Sequence, residues 1–63
     1  MNNSNGHALL ARITTGARVT VRRPDGGQST GRAEMSAHGQ WRARTGPMFS
    51  EPVTAANIIR VQS

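Results

Sequence analysis

The stretch that decides the fold is Ala17, Arg18, Val19, Thr20, Val21, Arg22, Arg23, Pro24, Asp25, Gly26, Gly27. Its first seven residues alternate, with Ala17, Val19 and Val21 on one side and Arg18, Thr20 and Arg22 on the other, the period of a half-buried strand. The next four combine a fixed φ, a side chain that caps its own turn, and two residues free to take φ > 0. Together they predict a β-hairpin. The returning strand, Gln28 to Ala37, places Ala33 and Met35 inward and Arg32, Glu34 and Ser36 outward. Gly31 is a candidate bulge, which leaves that register free by one. A second tight turn at His38, Gly39 leads into Gln40 to Thr45, with Trp41 and Ala43 inward and Gln40, Arg42 and Arg44 outward. Three strands thus form a meander.

Beyond it, Gly46 and Pro47 break the pattern, and Met48, Phe49 before Pro52 reads as a short strand or a packed loop. Thr54 to Asn57 is long enough for one 3₁₀ turn, and Ile58 to Val61 is β-branched enough for a closing strand. Before the meander, Thr15 and Gly16 signal a turn. Ala8 to Thr14 carries Leu9, Leu10 and Ile13 at a spacing that suits one helical turn or an irregular strand equally well. Met1 to His7 has no apolar anchor within its Asn, Ser and Gly, so residues 1–7 are expected as a disordered leader and residues 8–63 as one domain. The expected architecture is all-β, a small SH3-like barrel of four to five short antiparallel strands, since closure would remove exposed edges.

Composition narrows the function classes. Sixty-three residues allow one small domain. Its large apolar side chains are four Val, three Ile, two Leu, two internal Met, one Phe and one Trp. The core is therefore thin, and a partner subunit or ligand is a candidate to complete it. No cysteine is present, which excludes a disulfide scaffold and a Cys-based zinc module. The longest apolar run, Ala8 to Ala11, is far too short for a membrane span, and no secretory signal pattern opens the chain. A cytoplasmic protein without membrane contact is the expectation.

Two family patterns come into view along the chain. Gln40, Trp41, Arg42, Ala43, Arg44, then a Gly turn and Pro52 to Val61 with Asn57, Ile58 and Ile59, resemble the second half of an SH3 domain. The ligand-stacking Trp and the last-motif Tyr of that family fall on Gln40 and Ile58, so the resemblance implies the barrel and not recognition of proline-rich peptides. Gly16, Ala17, Arg18, Val19 near the start, with Gly46 and then Glu51, Pro52, Val53, Thr54, Ala55, resemble the plasmid-borne type II dihydrofolate reductases. Those are SH3-like barrels that assemble into tetramers around one pore. Met48, Phe49, Ser50 and Glu51 stand where that family carries its substrate-binding Val-Gln-Ile-Tyr. This second resemblance implies the fold, a homo-oligomer and a mobile-element origin, but not the reductase activity.

No constellation of residues points to catalysis. Asp25, Glu34 and Glu51 fall on a hairpin tip, an outward strand position and a loop, unpaired for acid–base work. His7 and His38 lie far apart without Cys or a carboxylate cluster, so neither a metal nor a cofactor is expected. Gly26, Gly27 and Gly31 lack the Lys and following helix of a phosphate loop.

The arginines carry the informative signal, eight of them with no lysine and a net charge of +5. If the meander register holds, Arg18, Arg22, Arg32, Arg42 and Arg44 project from one outer face, opposed only by Glu34. Guanidinium groups bind phosphate bidentately and stack on bases, so this face suits the backbone of DNA or RNA without sequence readout. Codon bias in a GC-rich genome is the plain alternative origin of so many arginines. Trp41 points away from this face into the core, and Phe49 is the better candidate for a base or partner contact. The leading expectation is a non-enzymatic binding module. The alternative is a phage- or plasmid-type accessory or inhibitor protein that binds an acidic protein partner through Met48, Phe49 and the arginine face.

Overall fold

The computed structural model describes residues 4–62. The hairpin at its centre is the one that Pro24 to Gly27 predicts: β1 (Arg18–Arg22) runs antiparallel to β2 (Gln28–Met35), with Val19 opposite Gly31 and Val21 opposite Ser29. In the connecting turn Gly26 N–H donates to the Arg23 carbonyl and Arg23 N–H to the Gly27 carbonyl, with Gly26 at φ 92°. That is a type I turn followed by a residue in the left-handed region, which only Gly adopts without strain. The second hairpin repeats the device. Gly39, at φ 78°, donates to the Ser36 carbonyl, Ser36 N–H donates to Gln40, and the Ser36 hydroxyl accepts from His38 and Gln40 N–H.

The turn delivers the chain into β3 (Trp41–Gly46), and the meander continues into β4 (Phe49–Pro52). The remaining strand, β5 (Ile58–Gln62), returns to the other side of β1, so the sheet order is β4-β3-β2-β1-β5. All its pairings are antiparallel, and the class is all-β with one short helix. The sheet is open, not closed as expected: β4 and β5 are its two ends and do not pair. Both edges are nonetheless blunted. Pro52 interrupts the β4 edge, and α1 (Ser4–Leu10) packs against β5.

The sheet bends enough to bring β1 and β3 into contact although they are not neighbours. Gly31 explains the bend. A Cβ there would overlap the Arg44 carbonyl oxygen, and the β1–β2 register passes Gly31 without a break. The expected bulge is therefore a point of close backbone approach instead. Real register shifts occur elsewhere, at Thr45 in β3 and at Ile59 in β5. The extra residue at Ile59 puts Ile58 opposite Val21 and Val61 opposite Val19, so both apolar side chains face inward despite their spacing of three.

The core is Ile13, Val19, Val21, Ala33, Ala43, Val53 and Ile58, with Leu9, Leu10, Trp41 and Val61 packed on its margin. Ala33 and Ala43 face each other directly and are fully buried, small residues where the bent strands run close. Two residues keep their expected face but not the exposure that goes with it. Met35 is 49% exposed, because with Trp41 it ends the β2–β3 hairpin where the inner face runs past the core. Thr20 is buried on the outer face, between its partners Thr30 and Arg60, and shares a hydroxyl hydrogen bond of 2.8 Å with Thr30.

The expected disordered leader is also corrected in part. Ser4 to His7 belong to α1, while residues 1–3 lie outside the described residues. Propensity does not make this helix, since Gly6 is a poor helix former. Docking does: Gly6 is buried so close to the Ala55 carbonyl that no larger residue fits, and Leu9 and Leu10 lean on the core. Of the two readings of Ala8 to Thr14, the helix holds as far as Leu10, and two i→i+3 bonds from Arg12 and Ile13 then unwind it.

Candidate nucleic-acid interface

The register assembles the arginine face more tightly than the sequence suggests. Arg18 pairs with Arg32 and Arg32 with Arg44, so three arginines form one row across three neighbouring strands. Gln62 extends the row beyond Arg18 and Ser50 extends it beyond Arg44. Cross-strand partners share a face and sit about 5 Å apart, so the three Cα positions span about 10 Å. Arg22, opposite Gln28, and Arg42, opposite Glu34, lie on the same face to either side of the row. A sixth arginine joins them: Arg60, opposite Thr20. Its outward position was legible from Val61 inward by period two, but the adjacent Ile58, Ile59 pair masks that alternation.

Hydrogen bonds divide these side chains into held and free. Arg44 is held most firmly, with Nε and Nη2 donating to the two Glu34 carboxylate oxygens at 2.6 and 3.0 Å and Nη1 donating to the Pro47 carbonyl at 3.2 Å. Arg42 donates to the Ser50 hydroxyl and carbonyl, and Arg32 donates to the Gly16 carbonyl at 3.2 Å. Among the described residues, Arg18, Arg22 and Arg60 make no side-chain hydrogen bond and point at solvent, ready for an acceptor. At the Arg18 end of the row is a polar pocket of about 390 Å³ lined by Arg18, Arg32, Gly16 and Gln62. It offers two guanidinium groups and one amide, the donor set of an oxyanion site.

Electrostatics favour an anion here. Like charges directly opposite across strands are destabilising, and Arg18 faces Arg32 with no carboxylate between them. The one acid on the face serves Arg44, whose hydrogen bonds hold the Glu34 carboxyl below its usual pKa and raise that of Arg44. Asp25 is likewise held low, chiefly by the Gly27 N–H and then by Arg23, but it stands at the hairpin tip and serves the turn.

The remaining predicted positions separate by role. Phe49 is 70% exposed and Met48 88% exposed, at the β3–β4 tip whose Pro47 carbonyl Arg44 holds. Trp41 faces inward and packs on the core, as its place in the alternation requires. Ser50 is engaged by Arg42, and Glu51, opposite Ala43, is half-buried. Among the described residues no three His, Cys, Asp or Glu side chains come together around a metal-sized space. No described helix is long and apolar enough to cross a membrane.

No protein-family model, no curated protein and no solved structure matches this chain.

Proposed function

We propose that this chain is a non-enzymatic binding module of the SH3-like barrel type, whose arginine face contacts the phosphate backbone of DNA or RNA. The carrying observation is the row Arg18, Arg32, Arg44, three arginines set in register across neighbouring strands, with a polar pocket at its Arg18–Arg32 end. The barrel assignment rests on the four-strand meander, the bend at Gly31, and the hydrogen-bonded turn from Thr54 to Asn57 after which β5 returns to β1. Backbone contact without sequence readout follows from what enters no groove: α1 carries no arginine and packs against β5, so the protein brings phosphate binders but no recognition helix.

The test is a titration of the folded chain with labelled oligonucleotides at several salt concentrations. Log K falls against log salt by about 0.9 per phosphate neutralised, so one contact for each of Arg18, Arg22 and Arg60, the arginines of the face not already hydrogen-bonded, gives a slope near −2.7. Absence of binding at about 50 mM salt, where the phosphate term is strong, overturns the reading. The second reading, an accessory protein that binds an acidic protein partner, draws on the exposed Met48 and Phe49 at the β3–β4 tip. Under it, Phe49→Ala weakens partner binding more than any single arginine change.

A further inference from the structure

We infer that the groove between α1 and the start of β5 is a binding site for a small aliphatic carboxylate. Its volume is about 530 Å³, in the range of small-ligand sites, and it is separate from the pocket at the Arg18 end of the row. Ala8 and Leu9 line it from the helix, Ile58 and Ile59 from β5, and Arg12 and Arg22 bring one guanidinium group each. Local structure explains the space. Gly6 seats α1 against the Ala55 carbonyl, while i→i+3 bonds from Arg12 and Ile13 turn the chain after Leu10. Two alanines, Ala8 and Ala56, stand in the lining where larger side chains would fill the gap. Ile59 is the residue that β5 leaves unpaired at its register shift, which releases its side chain from the alternation of the ladder. Arg22 N–H donates to the Asn57 carbonyl at 2.8 Å, so β1 brings its last residue to the edge of the groove.

Charge and polarity select the ligand. Among the described residues neither Arg12 nor Arg22 makes a side-chain hydrogen bond or an ion pair. Glu51, which shares the adjoining hollow with Arg22, pairs with neither of them. Two unpartnered guanidinium forks on one groove favour an anion, and a carboxylate presents two coplanar oxygens that match such forks. The body of the ligand is aliphatic by elimination. Asn57, the one uncharged polar side chain in the lining, has its oxygen taken by Thr54 N–H and its amide by the Pro52 carbonyl. Among the described residues no aromatic ring lines the groove, so a nucleobase would find neither a stacking face nor a free side-chain partner for its edge. An alkyl chain needs neither, and gains by covering Leu9, Ile58 and Ile59.

The experiment titrates the isotope-labelled full chain with butanoate, hexanoate and octanoate, following backbone amide shifts by NMR, with octylamine as the same tail under the opposite charge. Octanoate is expected to shift Ala8, Leu9, Arg12, Ile58 and Ile59, with affinity rising about threefold for each methylene added along the series. Octylamine leaves these amides in place. Arg12→Gln with Arg22→Gln weakens octanoate about tenfold or more, as a charged head loses its hydrogen bonds. Ala8→Phe, which fills the groove and leaves the charges alone, also weakens it. Both arginines are exposed, so the double variant keeps the wild-type spectrum away from the groove. Affinity that is flat along the series, that survives loss of both arginines, or that maps to the Arg18 pocket overturns the inference, as does the absence of shifts at millimolar octanoate. A chain that binds octanoate but no oligonucleotide loses the nucleic-acid reading and keeps this site, because Arg12 and the aliphatic walls lie outside the arginine row.

Discussion

Arg44 grips Glu34 along the diagonal of the sheet rather than across the rung, where the register partner of Glu34 is Arg42 and that of Arg44 is Arg32. The arrangement leaves Arg42 to Ser50 and spends the single acid of the face on the arginine nearest the β3–β4 tip.

Glu34→Gln is therefore expected to free Arg44 for a phosphate. Oligonucleotide affinity rises at low salt, and the slope of log K against log salt steepens by up to about 0.9. Stability changes little, because ion pairs exposed to solvent contribute little to folding. A salt titration of wild type and variant side by side checks it, and an unchanged slope would place the phosphate contacts away from Arg44.

Acid stability follows from the two depressed carboxyls. Asp25 and Glu34 have folded pKa values below their ordinary ones, so each contributes stability above the unfolded value and loses it as pH falls through the folded value. The melting temperature is expected to decline as pH drops below about 4, the ordinary carboxylate range. Asp25→Asn with Glu34→Gln reduces that decline, which a series of thermal melts across acidic pH measures.

Gly31→Ala is expected to cost about 2 kcal/mol or more, since its methyl group meets backbone, the Arg44 carbonyl, which cannot rotate aside. Denaturant unfolding reads the loss directly. A tolerated alanine would mean that β2 and β3 can separate without harm.

Asn57 holds the turn before β5 on both sides, with its carbonyl oxygen accepting from Thr54 N–H and its amide donating to the Pro52 carbonyl, each at 2.8 Å. Asn57→Ala is expected to cost about 2 kcal/mol, as the partly buried Thr54 N–H and the exposed Pro52 carbonyl both lose their partner. Asn57→Asp keeps the acceptor and loses the donor, and its melting temperature falls between the two.

Much of this was legible in the chain because the information is local. The Pro24 to Gly27 turn and the alternation from Ala17 to Arg22 fix the first hairpin, and the phase of that strand carries through to Arg42 and Arg44. What was not legible depends on contacts distant in sequence. Gly6 falls in a stretch without an apolar anchor until Ala55 packs against it, and Gly31 reads as a bulge until the bend brings the Arg44 carbonyl over it. Arg60 was hidden for a different reason: the extra residue at Ile59 interrupts the period that would have placed it. The arginines of the row were visible singly, but their alignment into one rung depends on a register that side-chain pattern alone leaves free by one.

The two hairpin turns, built alike from Arg23 to Gly27 and from Ser36 to Gln40, and the short tip between Gly46 and Phe49 make every pairing from β1 to β4 an affair between neighbours in sequence. Only β5 must travel, from Ile58 back to Val21, to lie beside the first strand. Entropy lost in gathering so long a segment is repaid only when that last ladder forms, so the slow act in folding is this homecoming of β5. Until it happens, β1 is an open border with its hydrogen-bonding groups turned to water, and the meander is most vulnerable to the wrong neighbour.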